Sequence, residues 1–242
     1  MFDGSNVLVL IEARRNSRRL PTKHLLDICG KPLIERVIDS CIDSGVGHVA
    51  ISTDCPDCKA IAADLGVPNV EREPWMYDED SDPHVWQAAM WKMCREYWAS
   101  IGGVEPFKLL ELNGNSLLFQ VKTLQDQVAA LDKPNTQYVR STYRADDDHP
   151  YYAMTMDDDG AMAFMHPEVM TMCSQDHPDA YIIDHGPVGQ WMPLRDGNIR
   201  AVVNKKHDVV HVHTHEDYQF ARDLWSARKG KVRVGEVVCV NA

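Results

Sequence analysis

Val7–Ile11 is an unbroken apolar run, the pattern of a short strand buried on both faces. From Pro32 to Ser44 the spacing changes. Leu33, Ile34, Val37, Ile38, Cys41 and Ile42 repeat with the 3.6-residue period of a helix laid against a sheet, opened by Pro32 and closed by Gly45. The alternation continues: His48–Thr53 reads as a strand, Pro56–Leu65 as a helix ended by Gly66, and Val67–Val70 as a short strand. Pro83–Trp98 is a long helix containing Trp86, Trp91 and Trp98, and Phe107–Leu112 with Val121–Leu131 form another strand–helix pair. Strands alternating with helices call for an α/β fold, a Rossmann-like, mostly parallel sheet with helices on both faces.

Near residue 137 this rhythm breaks. Tyr138–Thr142, Tyr151–Met156 and Ala161–Met165 read as strands separated by acidic turns, among them Asp-Asp-Asp-Gly at 157–160. Residues 166–195 carry Pro, Gly, Asp and His without clear periodicity. About 145–200 is therefore expected to be a β-rich excursion from a single domain spanning 1–242. Tyr151, Tyr152, Met154 and Trp191 in it need covering, which predicts a homodimer contact. Parallel-sheet logic returns at Val209–Val212, followed by a helix capped by Thr214 with Glu216 and Asp217 in its first turn. Lys231–Val240 alternates like an added edge strand.

Composition narrows the class. At 242 residues the chain can bury a sizeable core, and its 44% hydrophobic and 25% charged residues are ordinary globular values. A formal net charge of −11 argues against a broad basic face, so no nucleic-acid partner is expected. No apolar run approaches the roughly 20 residues that cross a bilayer, and no basic-then-apolar leader opens the chain. The expectation is a cytoplasmic protein with no membrane partner, and seven scattered cysteines suit reduced thiols there.

Against this acidic background, Arg14, Arg15, Arg18, Arg19 and Lys23 crowd directly behind the first strand. A loop leaving the C-terminal end of a central parallel strand is where α/β sheets bind ligands, and converging cations with free backbone N–H groups suit a polyphosphate. The plainer alternative is a solvated basic turn.

The stretch IEARRNSRRLPTKHLLDICGKPLIERVI, residues 11–38, resembles the N-terminal signature of the sugar-activating cytidylyltransferases, the acylneuraminate and 3-deoxy-manno-octulosonate enzymes. Ala13, Arg14, Ser17, Arg19, Leu20, Pro21 and Lys23 fit the pattern A-R-x-x-S-x-[RG]-[LI]-P-x-K, and Gly30–Ile34 fit the G-K-P-[LM]-I of the octulosonate branch. AISTD (50–54), SDPHV (81–85), DHPYYAM (148–154) and VHVHTHEDYQFA (210–221) extend the likeness.

The resemblance implies a nucleotide-diphospho-sugar transferase fold and transfer of CMP from CTP, or another NTP, to an acidic sugar with release of pyrophosphate. It implies Arg14 and Lys23 as the catalytic cations on the triphosphate. Ala13, Asn16, Ser17, Arg18 and Arg19 would shape the nucleotide loop, with Asp82, Asn113 and Asn115 on the nucleotide as well. His149, His185 and Gly186 would close over the sugar, with help from a second subunit. Such chemistry rests on positioning and charge neutralisation, shared with a divalent ion that is magnesium in the family.

Two departures bear on that ion. Where the octulosonate enzymes carry Q-G-D-E-P, this chain reads NGNSL, placing Asn115 at the aspartate, and the D-x-D of the acylneuraminate branch falls on His211 and His213. Imidazole suits manganese or zinc better than it suits magnesium. Three readings stay open: an enzyme with another metal geometry, one whose metal is held by substrate phosphates, and a nucleotide or nucleotide-sugar binder that lost catalysis. Other motifs carry less. CPDC (55–58) has redox spacing in a family loop without a redox role, GVGHVA (45–50) precedes a strand instead of following one, and His207, His211, His213 and His215 form a weak zinc pattern. The tryptophans read as core.

Overall fold

The computed structural model describes residues 6–229 except 16, 18, 78–81, 146–147, 169–171, 173–175 and 195. Asn16 and Arg18 of the expected nucleotide loop, and the expected edge strand at 231–240, lie outside the described residues. In chain order the first elements are β1 (Val7–Ala13), α1 (Leu33–Ser44), β2 (His48–Thr53), α2 (Pro56–Asp64), α3 (Pro83–Ser100), β3 (Phe107–Asn113) and β4 (Ser116–Leu118). They are followed by α4 (Lys122–Leu131), β5 (Thr136–Arg144), β6 (Met154–Met156), β7 (Met162–Phe164), β8 (Tyr181–Met192), β9 (Asn198–Asn204), β10 (Val209–His211) and α5 (His215–Lys229).

A six-stranded sheet, ordered β2-β1-β3-β8-β5-β9, is the frame. β1 pairs in parallel with β2 on one edge and β3 on the other. β8 alone runs antiparallel, between β3 and β5, and β9 pairs in parallel with β5. Hydrogen-bonded on both edges, β1 also has both faces covered. Val9 and Ile11 join α1 and α4 in one cluster, whereas Leu8 and Leu10 meet α3, Phe107 and Leu109 in another. Trp98 of α3 stacks on Phe107 with ring centroids 4.8 Å apart. The helix ends follow local rules: Gly45 takes the left-handed conformation (φ 62°) that closes α1.

Three expectations change. Val67–Val70 is not a strand; it contributes only a single parallel bridge, Ile51 to Asn69. Tyr151–Met156 splits into a one-turn helix, Pro150–Tyr152, and β6. The largest correction concerns the excursion: β8 and β9 belong to the central sheet, so the departure from it covers about 145–180. Trp191 is accordingly core, with its indole N–H donating to the Leu131 carbonyl at 3.0 Å. β8 escapes pattern reading because its ladder with β5 is interrupted. The register passes from Arg140–Val188 to Thr142–Ile183, leaving residues 184–187 bulged opposite Ser141. Pro187 sits in that bulge, where the ladder needs no donor.

Gly114, in the turn after β3, donates its N–H to the Glu12 carbonyl at 2.7 Å. A Cβ there would lie 2.7 Å from Ile34 Cδ1 and 3.0 Å from Ala13 Cβ. Gly114→Ala should therefore destabilise the fold by about 1–3 kcal/mol, read as a lower urea midpoint; an unchanged midpoint would mean that the turn is not pressed against β1.

Candidate nucleotide site

The C-terminal ends of β1 and β3 open into a cavity of about 550 Å³. On one side stand Arg14, just past β1, and Lys23, which begins the one-turn helix Lys23–Leu25, together with Asn115, His211 and His213. Lys23 is close enough to act electrostatically on both histidines. On the other side Glu12 pairs with Arg72 at 3.2 Å, and the Trp86 indole N–H donates to the Met76 carbonyl at 3.0 Å, with Pro83 and Gln87 completing the wall. Asn113 links the two sides, in register with Glu12.

The histidine side is a closed hydrogen-bond network. The Asn115 amide N donates to the Val212 carbonyl (2.7 Å) and lies 3.2 Å from His211 Nε2. Ser116 Oγ donates to the His185 carbonyl (2.9 Å), so at 2.6 Å it accepts from His211 Nδ1. That assigns His211 as the neutral Nδ1–H tautomer with both ring nitrogens in use. Burial, reinforced by His213, His185 and Lys23, pushes its pKa down to about 3. The His213 ring lies 4.1 Å from that of His211, and burial, then Lys23 and Arg19, lower its pKa too.

The junction that aims these rings is a capping box. The Asp217 carboxylate accepts the His213 and Thr214 N–H groups at 2.9 Å, and Thr214 Oγ1 accepts the Asp217 N–H at 3.2 Å. His185 is delivered by the β8 bulge in a left-handed conformation (φ 57°), with its ring 5.2 Å from His211.

The remaining expected residues divide. Ala13 is the buried end of β1, and Ser17 Oγ accepts the Leu20 N–H at 3.4 Å, shaping the basic loop in which Arg19 is exposed. Asp82 caps α3 instead of lining the cavity. It accepts the His84 and Val85 N–H groups at 2.8 and 3.2 Å, and these bonds hold its carboxyl below the usual range.

Of the sugar set, only His185 neighbours the cavity's histidines. His149 is buried elsewhere, its Nε2 donating to the Pro178 carbonyl (2.9 Å) and its Nδ1 accepting the Tyr151 N–H (3.1 Å). Gly186 is packed inside the bulge, where a Cβ would meet Ser141 Oγ at 2.5 Å. His207 and His215 pack on Phe220 and Tyr218, away from the suggested zinc pattern. Cys55 and Cys58 are buried and free, and burial drives the Cys58 thiol far up, against a redox role. Cys29 is disulfide-bonded, so the thiols are not all reduced.

Pattern reading missed Glu12, His24, Arg72, Met76, Trp86, Gln87 and Ser116. Glu12 alone left a signal, a charge at the end of an otherwise apolar strand. Trp86, read as core, lines the cavity. His24 is buried, and burial followed by Lys23 lowers its pKa to about 4.

Magnesium wants hard oxygen donors. The family's aspartate positions hold Asn115, His211 and His213; His211 has both nitrogens engaged, and Asn115 can offer only a neutral amide oxygen in place of a carboxylate. Among the described residues, no group of three or more His, Cys, Asp or Glu is placed to hold a metal ion. The side chains present do not fit the family's magnesium set.

A family model described as cytidylyltransferase matches residues 8–171, which hold β1 from its second residue, the basic loop, Arg72, all of α3 and Asn113–Asn115. The chain belongs to the cytidylyltransferase family. The 3-deoxy-manno-octulosonate cytidylyltransferase of Bradyrhizobium sp. (strain ORS 278) is 45% identical over 62 residues, 26% of this chain and 25% of that one. That of Coxiella burnetii (strain Dugway 5J108-111) is 48% identical over 58 residues, 24% and 23% of the respective chains. The matched region thus spans about a quarter of the curated relatives' length.

Solved structures agree on the fold over far more of the chain. CMP:2-keto-3-deoxy-manno-octonic acid synthetase complexed with CTP superposes with a TM-score of 0.65 at 17% identity, covering 92% of this chain and 99% of that one. The 4-diphosphocytidyl-2C-methyl-D-erythritol synthase of Anaerococcus prevotii DSM 20548 gives 0.58 at 13% identity, covering 92% and 97%. The fold is that of the nucleotide-diphospho-sugar transferases. No helix among the described residues is long and apolar enough to cross a membrane.

Behind Glu12, Glu111 accepts hydrogen bonds from Gln87 and Gln190. Burial, then the neighbouring Glu12, raises its pKa from the ordinary 4.5 to about 8. Between those values the folded protein holds a proton that the unfolded chain has released, so stability should fall as pH rises, by up to about 1.4 kcal/mol per pH unit. Glu111→Gln should be more stable than the native protein at pH 8 and flatter across the window in urea unfolding. An unchanged slope would place the raised acid elsewhere.

Proposed function

We propose that this protein transfers the CMP group of CTP to a hydroxyl of an acidic sugar, of the 3-deoxy-manno-octulosonate or acylneuraminate kind, and releases pyrophosphate. One observation carries the reading: Arg14 and Lys23 both line the cavity at the end of β1, inside the segment that matches the family. The sugar oxygen attacks the α-phosphorus and loses its proton. A phosphorus–oxygen bond to the sugar forms as the bond to the β-phosphate oxygen breaks, and pyrophosphate leaves. Arg14 and Lys23 neutralise the phosphates and the charge that develops between them, each charge-assisted contact contributing about 1.5–3 kcal/mol. Asn113, between the two sides of the cavity, borders the ribose, and His185 borders the sugar.

The divalent cofactor belongs to this reading as well. Magnesium, manganese and zinc are to be compared, because His211 spends both ring nitrogens on Asn115 and Ser116 and leaves the ion chiefly to the substrate phosphates. The functional unit in this reading is a cytoplasmic homodimer. It is supported by the β6–β7 hairpin, which exposes Met154, Met156 and Met162, and by the face of β8, β5 and β9 that α3 leaves bare at Ile183, Ile199 and Val203.

Pyrophosphate release from CTP with 3-deoxy-manno-octulosonate or N-acetylneuraminate, assayed with each metal, tests the reaction. CTP binding without turnover under every condition would leave only the nucleotide binder. Lys23→Met should weaken CTP binding at least tenfold by calorimetry with the melting temperature unchanged; full affinity in a folded variant would remove Lys23 from the site. Light scattering should return twice the 27.4 kDa chain mass, and a monomer at micromolar concentration would refute the dimer.

A further inference from the structure

Glu12 is anomalous in its strand. Leu8, Val9, Leu10 and Ile11 are fully buried, and a carboxylate at the end of such a run is costly unless it is matched. Arg72 matches it. Arg72 Nη1 meets Glu12 Oε2 at 3.2 Å, Nη2 donates to the Ser52 carbonyl at 2.8 Å, and the group lies 4.7 Å over the Tyr77 ring. Only 5% of the Arg72 side chain is exposed, so the guanidinium is a fixed clamp. Glu12 keeps 17% side-chain exposure and a second carboxylate oxygen beyond the one bonded to Arg72. Burial raises its pKa, and the charge and hydrogen bond of Arg72 oppose that rise, so the clamp is what favours the carboxylate.

The surroundings suit a flat ring. Trp86, Met76 and Pro83 supply aromatic and apolar surface, and Gln87 is restrained by its bond to Glu111. The same cavity joins Arg14 and Lys23 to this wall, so a nucleotide whose phosphates lie at those cations has room to bring its base here. A carboxylate accepts from the exocyclic amine of cytosine, whereas it repels the carbonyl oxygen that uracil carries at the same position.

We propose that the Glu12 carboxylate, clamped by Arg72, reads the amino edge of the base and makes this protein prefer CTP to UTP. This rests on the nucleotidyl-transfer reading above. Glu12 acts as a specificity determinant and Arg72 as its positioning residue. Neither takes part in the bond changes at phosphorus.

Calorimetric titration with CTP, UTP and inorganic tripolyphosphate tests it. The native protein should bind CTP at least about tenfold tighter than UTP. Glu12→Gln presents both an acceptor and a donor, so it should bring that ratio close to one while tripolyphosphate affinity stays as it was. Breaking a buried ion pair can unfold a protein. The double variant Glu12→Gln with Arg72→Met, which removes both charges, carries the same expectation if the single variant does not fold. Equal native affinities for CTP and UTP, or an unchanged ratio in a folded variant, would overturn the inference while leaving cytidylyl transfer standing. A native protein that binds neither CTP nor tripolyphosphate would overturn both.

Discussion

β1 is hydrogen-bonded to β2 and β3 and walled by helices on both faces, with Leu8 to Ile11 fully buried. A one-residue slip would exchange its two faces and carry Glu12 into the cluster around Ile34 and Ile38, so the register is strongly specified. Each element of the cavity is measured from that strand's end. Arg14 leaves from it, Asn113 sits beside Glu12, and the Gly114 N–H ties the next turn to the Glu12 carbonyl. Asn115 and Ser116, which follow, then meet His211 from β10.

The chemistry of the cavity is a matter of which groups stay charged. In a chain of net charge −11, this place gathers Arg14, Lys23 and Arg72, with Arg72 paired to Glu12 and Asp217 acting on His211 and His213. Burial raises the pKa of both Glu12 and Glu111, and Arg72 opposes that rise at Glu12. The imidazoles add no charge of their own there: His24 and His211 are held neutral by burial and by the cations beside them. Where the family places aspartates, this protein has a neutral network, Asn115–His211–Ser116, whose polar groups satisfy one another. The network itself adds no negative charge beside Lys23, whose field reaches both His211 and His213.

The β8 bulge is the second organising device. An antiparallel strand buried in mid-sheet has no local reason to turn a side chain toward the cavity. Residues 184–187 accommodate an extra stretch of chain opposite Ser141, secured by Asp184, which accepts from the Gly186 N–H at 3.0 Å and the Asn204 amide at 2.8 Å. The bulge re-aims His185 toward His211 and, by the same geometry, buries Gly186.

What was legible in the amino-acid order is what depends on near neighbours. Apolar periodicity marks β1, α1 and α3, glycine in a left-handed conformation ends α1, Thr214 with Asp217 starts α5, and the cations after β1 lie within ten residues of one another. The partners of those groups were decided by the folded sheet. Arg72 reaches Glu12 across 60 residues, Asn115 meets His211 across 96, and His149 is drawn away into a ring cluster with Tyr151 and His177. β8 was hidden because glycine and proline interrupt its pattern, and only pairing on both edges makes it a central strand. Periodicity and capping are settled by contacts a few residues apart. Which side chains share a cavity depends on strand order and loop closure, which no local window of sequence contains.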